Sequence, residues 1–374
     1  MNRLVALDMP GGTRFVDSMR RIWDAGDAIF PIDQRLPNAA RVTLLHEMAP
    51  SAIVDANGTE TKMSGGRPVE TGDALVVATS GSTGPPKGVV LTHENIAASA
   101  AASNRRLGTS ANDHWLVCLP LSHVGGLSVV TRAWQVGCQL TVHPSFNSVD
   151  VEMAARSGAT MTSLVATASR RVDASLFRTI LLGGSAAPEF TAPNVVITYG
   201  MTETASGVVY DGRPLDGVEI RLSPDGLIAV RAPMVFRGYR DGTNPIDTDG
   251  WFSTGDIGEF DSAGRLVVHG RLGDLIITGG ENVWPQRVEA VLGLHPLISE
   301  VVVRGVPDVE WGQRVVAWIT TVEDGVVSLD EVRDWVRTSL PTYCAPKTLN
   351  VMAVLPRTTL GKIDVQRLLS STPE

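Results

Sequence analysis

The sequence predicts an α/β protein: a layered first part, a short antiparallel part, and a smaller α+β part at the end. Three observations carry this. Strand-like apolar runs alternate with helix-like stretches through the first half, which is the pattern of layered α/β domains. From Leu215 to Gly270 the texture changes to short alternating runs joined by turns such as Ser223-Pro224-Asp225-Gly226 and Asp261-Ser262-Ala263-Gly264. That stretch reads as antiparallel strands in a small barrel-like subdomain. After Arg271 strands and helices mix compactly, so a boundary is expected near residue 273, giving domains 1–272 and 273–374.

Taken in order, Ala74 to Thr79 reads as a buried strand and Thr92 to Leu107 as an Ala-rich helix closed by Gly108. Strands follow at Trp115–Leu119, Thr179–Leu182 and Val195–Thr198, each running into a Gly- or Pro-containing turn with polar residues. Such turns are where α/β proteins gather ligand-binding groups. In the last part a strand is expected at Leu275–Thr278, a helix begins at Pro285, and strands recur at Val301–Val303 and Val315–Ile319. Ser328 and Glu331 form a capping box before a further helix.

The 374 residues suit roughly two to three domains. With 43% hydrophobic and 19% charged residues the chain can bury a sizeable core, which excludes a disordered protein. The net charge of −8, with no basic run, disfavours nucleic acid or an anionic membrane as partner. A cytoplasmic protein is expected, because no stretch approaches the roughly 18 apolar residues of a membrane span and the N-terminus lacks a signal-peptide core. Cys118, Cys138 and Cys344 have neither disulfide-framework nor zinc-ligand spacing.

The strongest local motif is TSGSTGPPKG at 79–88, a polar Gly-rich loop between two apolar strands. Its glycines let backbone amides approach phosphate oxygens, its hydroxyls donate, and Lys87 adds charge. It is not a Walker A loop, since Pro86 and Gly88 flank the lysine. Tyr199-Gly200-Met201-Thr202-Glu203-Thr204 joins an aromatic face, hydroxyls and a carboxylate, a set able to stack a purine and hold Mg²⁺. Asp256, in Ser253-Thr254-Gly255-Asp256, can accept both hydrogen bonds of a ribose diol. Lys362 ends PRTTLGK near the C-terminus. Taken singly, each has an ordinary counterpart: a surface turn, a solvated helix start, a turn-forming Asp, a surface lysine.

Together, in type and order, they resemble one family, the AMP-dependent adenylate-forming acyl- and aryl-CoA synthetases. The resemblance runs from about Asp24 to Leu369 and includes DAGDAIFPIDQRLP (24–37), PLSHVGGL (120–127), LLGGSAAP (181–188), YGMTET, STGD and GRLGDLIITGGENVWP (270–285). It implies a large α/β domain, a mobile C-terminal domain carrying the catalytic lysine, and ATP, Mg²⁺ and coenzyme A as cofactors. Residue by residue, it implies that Ser80, Gly81, Ser82, Thr83, Gly84 and Lys87 hold the ATP phosphates, and that Gly183, Gly184, Ser185, Tyr199, Gly200 and Met201 surround the adenine. It implies Thr202 at the α-phosphate, Glu203 on Mg²⁺, and Asp256 and Arg271 on the ribose. Lys362 is implied to bridge the substrate carboxylate and α-phosphate. His123 is implied at the junction of acyl pocket and pantetheine channel.

The acyl pocket is assigned to His123, Gly125, Gly126, Arg132 and Ser163, and the thiol side to Gly279, Gly280, Glu281 and Asn282. Relative to the family the chain starts late, which shortens the large domain and leaves room for a homodimer or a partner subunit over it. Gly273 stands where many members carry a hinge Asp, and glycine accepts any hinge dihedral. No Asp or Glu occurs across Leu121–Val130 to pair an α-ammonium, so amino-acid substrates are disfavoured. Arg132, nine residues after His123, matches an arginine that o-succinylbenzoate-CoA ligases of menaquinone biosynthesis use for a substrate carboxylate; Ala168 departs from that subgroup, which commonly has Gln there. A helix-surface arginine is the other reading. The function implied is an AMP-forming carboxylate-CoA ligase with o-succinylbenzoate as leading acid. Other fatty, aryl or alicyclic acids, or loading of a carrier protein, are the alternatives.

Overall fold

The computed structural model describes residues 2–79, 86–184, 192–322, 325–358 and 363–371. Contacts divide the chain into two units, Met1–Arg221 with Ala229–Ser253, and Leu222–Ile228 with Thr254–Glu374.

The first unit is built on two seven-stranded sheets. In one, Leu4–Asp8 lies between parallel neighbours Ala28–Pro31 and Ala52–Asp55. Leu4, Val5, Ala6 and Leu7 are fully buried, as a near-continuous apolar run in a sheet covered on both faces should be. The sheet continues through Asp73–Thr79 to Lys87–Thr92, paired antiparallel, and ends on the two-residue strand Gly238–Tyr239. In the other, Val195–Gly200, Thr179–Gly183, Met161–Val165 and His114–Val117 run side by side as parallel strands, and Gly207–Tyr210 returns antiparallel against the first of them.

The expected Ala-rich helix is His93–Leu107. Thr92 caps it reciprocally with Asn95, and Gly108 closes it at φ 60, a left-handed conformation that glycine adopts without a Cβ penalty. Helix Val124–Val136 starts on His123 and ends on Gly137 at φ 69.

The β-rich stretch forms a four-stranded sheet. Its two foreseen turns are made as their sequences dictate. Gly226 and Gly264 take φ +79 and +70, and the Asp261 carboxylate accepts the backbone N–H groups of Ala263 and Arg265.

In the second unit a five-stranded sheet centres on Ile298–Asp308 and Gly312–Thr321, with Ile276–Thr278, Glu281–Val283 and Thr348–Val351 beside them. Pro285–Leu292 and Leu329–Arg337 are its two longer helices, the second carrying the Ser328–Glu331 capping box. Val288, Leu292, Val332 and Val336 pack with Val303, Val315, Ala317 and Ile319 in one core, while Val302, Val316, Trp318, Leu355 and Leu368 form another. The division by contacts falls at Ser253/Thr254, whereas the sequence placed a hinge at Gly273; compactness and hinge position are separate properties. No described helix is long and apolar enough to cross a membrane.

Candidate active site

On the nucleotide side, the pairing of Thr79 with Lys87 closes the neck of the Gly-rich loop. Ser80, Gly81, Ser82, Thr83 and Gly84 lie outside the described residues. Lys87 places its ammonium 4.8 Å from the centroid of the Tyr239 ring. The hydroxyl of the same tyrosine donates to Glu203 Oε1 at 3.0 Å. Tyr239 therefore joins the lysine assigned to phosphate and the carboxylate assigned to metal. Glu203 sits in the one-turn helix Thr202–Thr204, where the Met201 N–H donates to Thr204 Oγ1 at 2.9 Å. Ala205 follows at φ 58, a left-handed conformation rare for a residue with a Cβ and of a kind that clusters at functional sites.

Tyr199 and Gly200 end strand Val195–Gly200 at a bulge. A Cβ at Gly200 would stand 2.2 Å from the Ser206 carbonyl oxygen, so this close approach requires glycine. Gly183 is similarly tight, since its Cβ would meet Thr198 Oγ1 at 2.8 Å, and Gly184 turns at φ +87. Ser185 lies outside the described residues.

On the acid side, the start of helix Val124–Val136 presses on the loop before it. A Cβ on Gly126 would stand 2.5 Å from the Pro120 carbonyl oxygen, whereas one on Gly125 meets only Leu119 Cδ1 at 3.5 Å. His123 Nε2 lies 3.2 Å from Asp33 Oδ2 and 3.3 Å from Arg35, and Arg35 grips Asp33 with two side-chain nitrogens at 2.9 and 2.6 Å. Asp33 is buried, and burial by itself raises its pKa. The hydrogen bonds donated by Arg35 and His123 outweigh that and hold the carboxyl well below the ordinary range. Ser163, on Met161–Val165, is buried with no hydrogen-bond partner for its hydroxyl among the described residues.

Arg132 is not on the helix surface. It is 3% exposed, its guanidinium lies 5.8 Å from the Trp115 ring centroid, and it donates to Ser206 Oγ at 2.5 Å and Tyr210 Oη at 3.3 Å. Its Nε has no partner, and among the described residues no carboxylate pairs with the charge.

In the second unit, Asp256 and Arg271 are register partners on adjacent strands, with Oδ1 and Nε 3.2 Å apart. Gly273 is exposed within the short turn Leu272–Asp274, and nothing lies within 4 Å of an added Cβ. Gly279 and Gly280, at φ +59 and +86, are the two central residues of the hairpin joining Ile276–Thr278 to Glu281–Val283. Two consecutive positive φ values define the tight turn whose twist matches its strands. Glu281 and Asn282 are exposed beside it. Lys362 lies outside the described residues.

Sequence reasoning missed Tyr239, the Asp33–Arg35 pair, Ser206 and Tyr210. Asp33 and Arg35 lie in the DAGDAIFPIDQRLP segment, and their spacing, an Asp two residues before an Arg, is the one signal by which sequence could have found them. Tyr239 and Tyr210 carry no local signal beyond being aromatic.

The profile described as AMP-binding enzyme matches residues 63–240, and that described as AMP-binding enzyme C-terminal domain matches 287–362. A probable 2-succinylbenzoate–CoA ligase of Mycobacterium tuberculosis is 40% identical over 334 residues, covering 80% of this chain and 84% of its own length. A 2-succinylbenzoate–CoA ligase of Listeria monocytogenes is 35% identical over 325 residues, covering 79% and 69% respectively. Among solved structures, o-succinylbenzoate CoA synthetase from Bacillus subtilis, in complex with the acyl-adenylate intermediate, superposes with a TM-score of 0.86 at 28% identity. The match covers all of this chain and 88% of that one. The chain belongs to the AMP-binding enzyme family.

Proposed function

We propose that the chain is an AMP-forming carboxylate–CoA ligase whose acid is 2-succinylbenzoate. The observation that carries the choice of acid is Arg132. A buried guanidinium held by hydroxyls alone is costly, and a second carboxylate on the substrate would compensate it. The ligases of Mycobacterium tuberculosis and Listeria monocytogenes, and the Bacillus subtilis complex with the acyl-adenylate, support the same acid.

The reaction has two steps. One substrate carboxylate attacks the α-phosphorus of ATP, forming the acyl-adenylate as pyrophosphate leaves. The thiol of CoA then attacks the acyl carbonyl, forming the thioester as AMP leaves and the thiol proton passes to solvent. In the first step charge builds on phosphoryl oxygens, so preorganised cations accelerate it. We assign Lys87 and Lys362 to that charge, Thr202 to the α-phosphate, and Asp256 with Arg271 to the ribose. Glu203 is assigned to Mg²⁺. The Glu203 carboxylate accepts one hydrogen bond, from Tyr239 through Oε1, and a carboxylate has further lone pairs with which it would hold such an ion. The hinge is assigned to Gly273 and the thiol side to Gly279–Asn282. Three free thiols, Cys118, Cys138 and Cys344, accord with a reducing, cytoplasmic setting.

The test is a panel of aromatic mono- and dicarboxylic acids, assayed for pyrophosphate and AMP release with and without CoA. Thioester by mass spectrometry from 2-succinylbenzoate supports the reading. Preference for fatty acids, or transfer only to a carrier protein, overturns it.

A further inference from the structure

Ser206 and Tyr210 reach Arg132 from the strand turn that follows YGMTET, and Tyr210 is itself fixed: its hydroxyl is 2.7 Å from Ser103 Oγ on helix His93–Leu107. Ser103 and Tyr210 are fully buried. The backbone of Arg132 is held as well, since Asn104 Nδ2 donates to its carbonyl at 3.0 Å. Helix His93–Leu107 thus clamps Arg132 at the backbone directly and at the guanidinium through Tyr210. All these partners are neutral. They orient the guanidinium without spending its charge, leaving that charge to a ligand anion.

Resting on the reading that the substrate is a dicarboxylic aromatic acid, we propose that Tyr210 and Ser206 are specificity-positioning residues. They hold Arg132 in the rotamer that meets the substrate's second carboxylate, so discrimination between diacid and monoacid depends on two hydroxyls that need not touch the substrate. The turn that supplies Ser206 also carries Thr202 and Glu203. Thr204 Oγ1 donates to the Ser206 carbonyl at 2.7 Å, so the anchor of the acid site is pinned to the nucleotide-binding turn.

The experiment compares wild type, Tyr210→Phe, Ser206→Ala, Arg132→Ala and the double variant Arg132→Ala/Tyr210→Phe. Each is assayed on 2-succinylbenzoate and on its two monocarboxylic analogues, each lacking one carboxylate; whichever analogue is turned over serves as reference. The ratio of KM for the diacid to KM for the reference should rise about 3- to 10-fold in Tyr210→Phe and in Ser206→Ala, as expected for one lost hydrogen bond. Adding Tyr210→Phe to Arg132→Ala should change that ratio no further, because the tyrosine acts through the arginine. Circular dichroism and thermal melts identify a variant that has lost its fold; Ser206→Ala, which removes a single oxygen, then carries the test alone.

A ratio unmoved in both hydroxyl variants, or one that rises equally in the presence and absence of Arg132, overturns the inference while leaving the substrate reading intact. If wild type refuses 2-succinylbenzoate, the substrate reading falls and the same ratio is read on whichever diacid is accepted. If only monocarboxylic acids react, both fall.

Discussion

Helix Val124–Val136 and the hairpin Ile276–Val283 carry the residues assigned to the acid and to the thiol, and they are specified by different physics. Along the helix, Arg132 is buried and Gly126 is in backbone contact range of the preceding loop. In the hairpin, Gly279, Gly280, Glu281 and Asn282 are all exposed, and the geometry comes from two positive φ angles. Dense packing fixes the first region, so its side chains sit in a low-dielectric setting where a single charge discriminates strongly between ligands. Turn chemistry fixes the second, whose residues stay exposed to solvent. Acid selection and thiol transfer should therefore respond to different substitutions.

The sharpest separation is expected at Lys362. Adenylation must neutralise two converging anions, whereas attack of the thiol on the mixed anhydride develops charge elsewhere. Removing a preorganised cation from transition-state charge costs about 10²–10³ in rate. Lys362→Ala should slow pyrophosphate release by about that factor, and supplied acyl-adenylate with CoA should bypass the defect. Equal loss of both steps in a folded variant would erase the contrast.

Next in size is Arg132→Ala, which should raise KM for 2-succinylbenzoate about 10- to 100-fold, since a charge-assisted contact contributes about 1.5–3 kcal/mol. The effect should fall on the acid and not on CoA. Initial-rate kinetics with each substrate varied in turn reads the difference.

The packed region also has an internal control in its two adjacent glycines. Gly126→Ala places a methyl against a carbonyl oxygen and should destabilise by about 1–3 kcal/mol, whereas Gly125→Ala finds ordinary contact and should be close to neutral. Urea melts of the two variants check this. Equal costs would mean that the helix start can shift away from the loop.

How much of this was legible in the sequence follows the range of each interaction. The helix His93–Leu107 was readable from its run of alanines and from Gly108 just past its end, whereas the reciprocal Thr92–Asn95 cap appears only in the structure. The same locality made the Ser328 capping box and the turns at Gly226 and Gly264 readable. The residues assigned to the nucleotide were recognisable as a set of motifs, yet their junction at Tyr239 was not, because Lys87, Glu203 and Tyr239 meet only when an edge strand pairs with Lys87–Thr92. Arg132 was singled out, but its burial could not be read. Its partners Ser206 and Tyr210 lie 74 and 78 residues away, and no periodicity links positions that far apart.

Buried charge in the first unit has a pH signature as well. Asp33 has its pKa depressed by Arg35 and His123 despite burial. The stabilisation it contributes is therefore fully present above the unfolded carboxyl value of about 4, and is lost progressively as pH falls from there through the depressed folded value. The stability difference between wild type and Asp33→Asn, measured by urea unfolding, should be constant near neutrality and shrink from about pH 4 downward. A difference that stays constant between about pH 4 and pH 2 would mean that the ionised carboxylate is not the source of that stability.

The smallest effect is expected at the exposed side of the comparison. Gly273 has no neighbour within 4 Å of an added Cβ and does not occupy the left-handed region, so alanine fits the observed backbone without strain. Gly→Ala at such a position stabilises by about 0.4–1 kcal/mol, chiefly by narrowing the unfolded ensemble. The same narrowing acts on any conformer that needs a dihedral only glycine reaches. If the residue is the hinge we assign it to be, Gly273→Ala should raise the midpoint of thermal unfolding by a few degrees and lower the ratio of thiolation to adenylation rates, read in single-turnover assays of each step. Stabilisation with an unaltered ratio would move the hinge elsewhere in the Leu272–Asp274 turn.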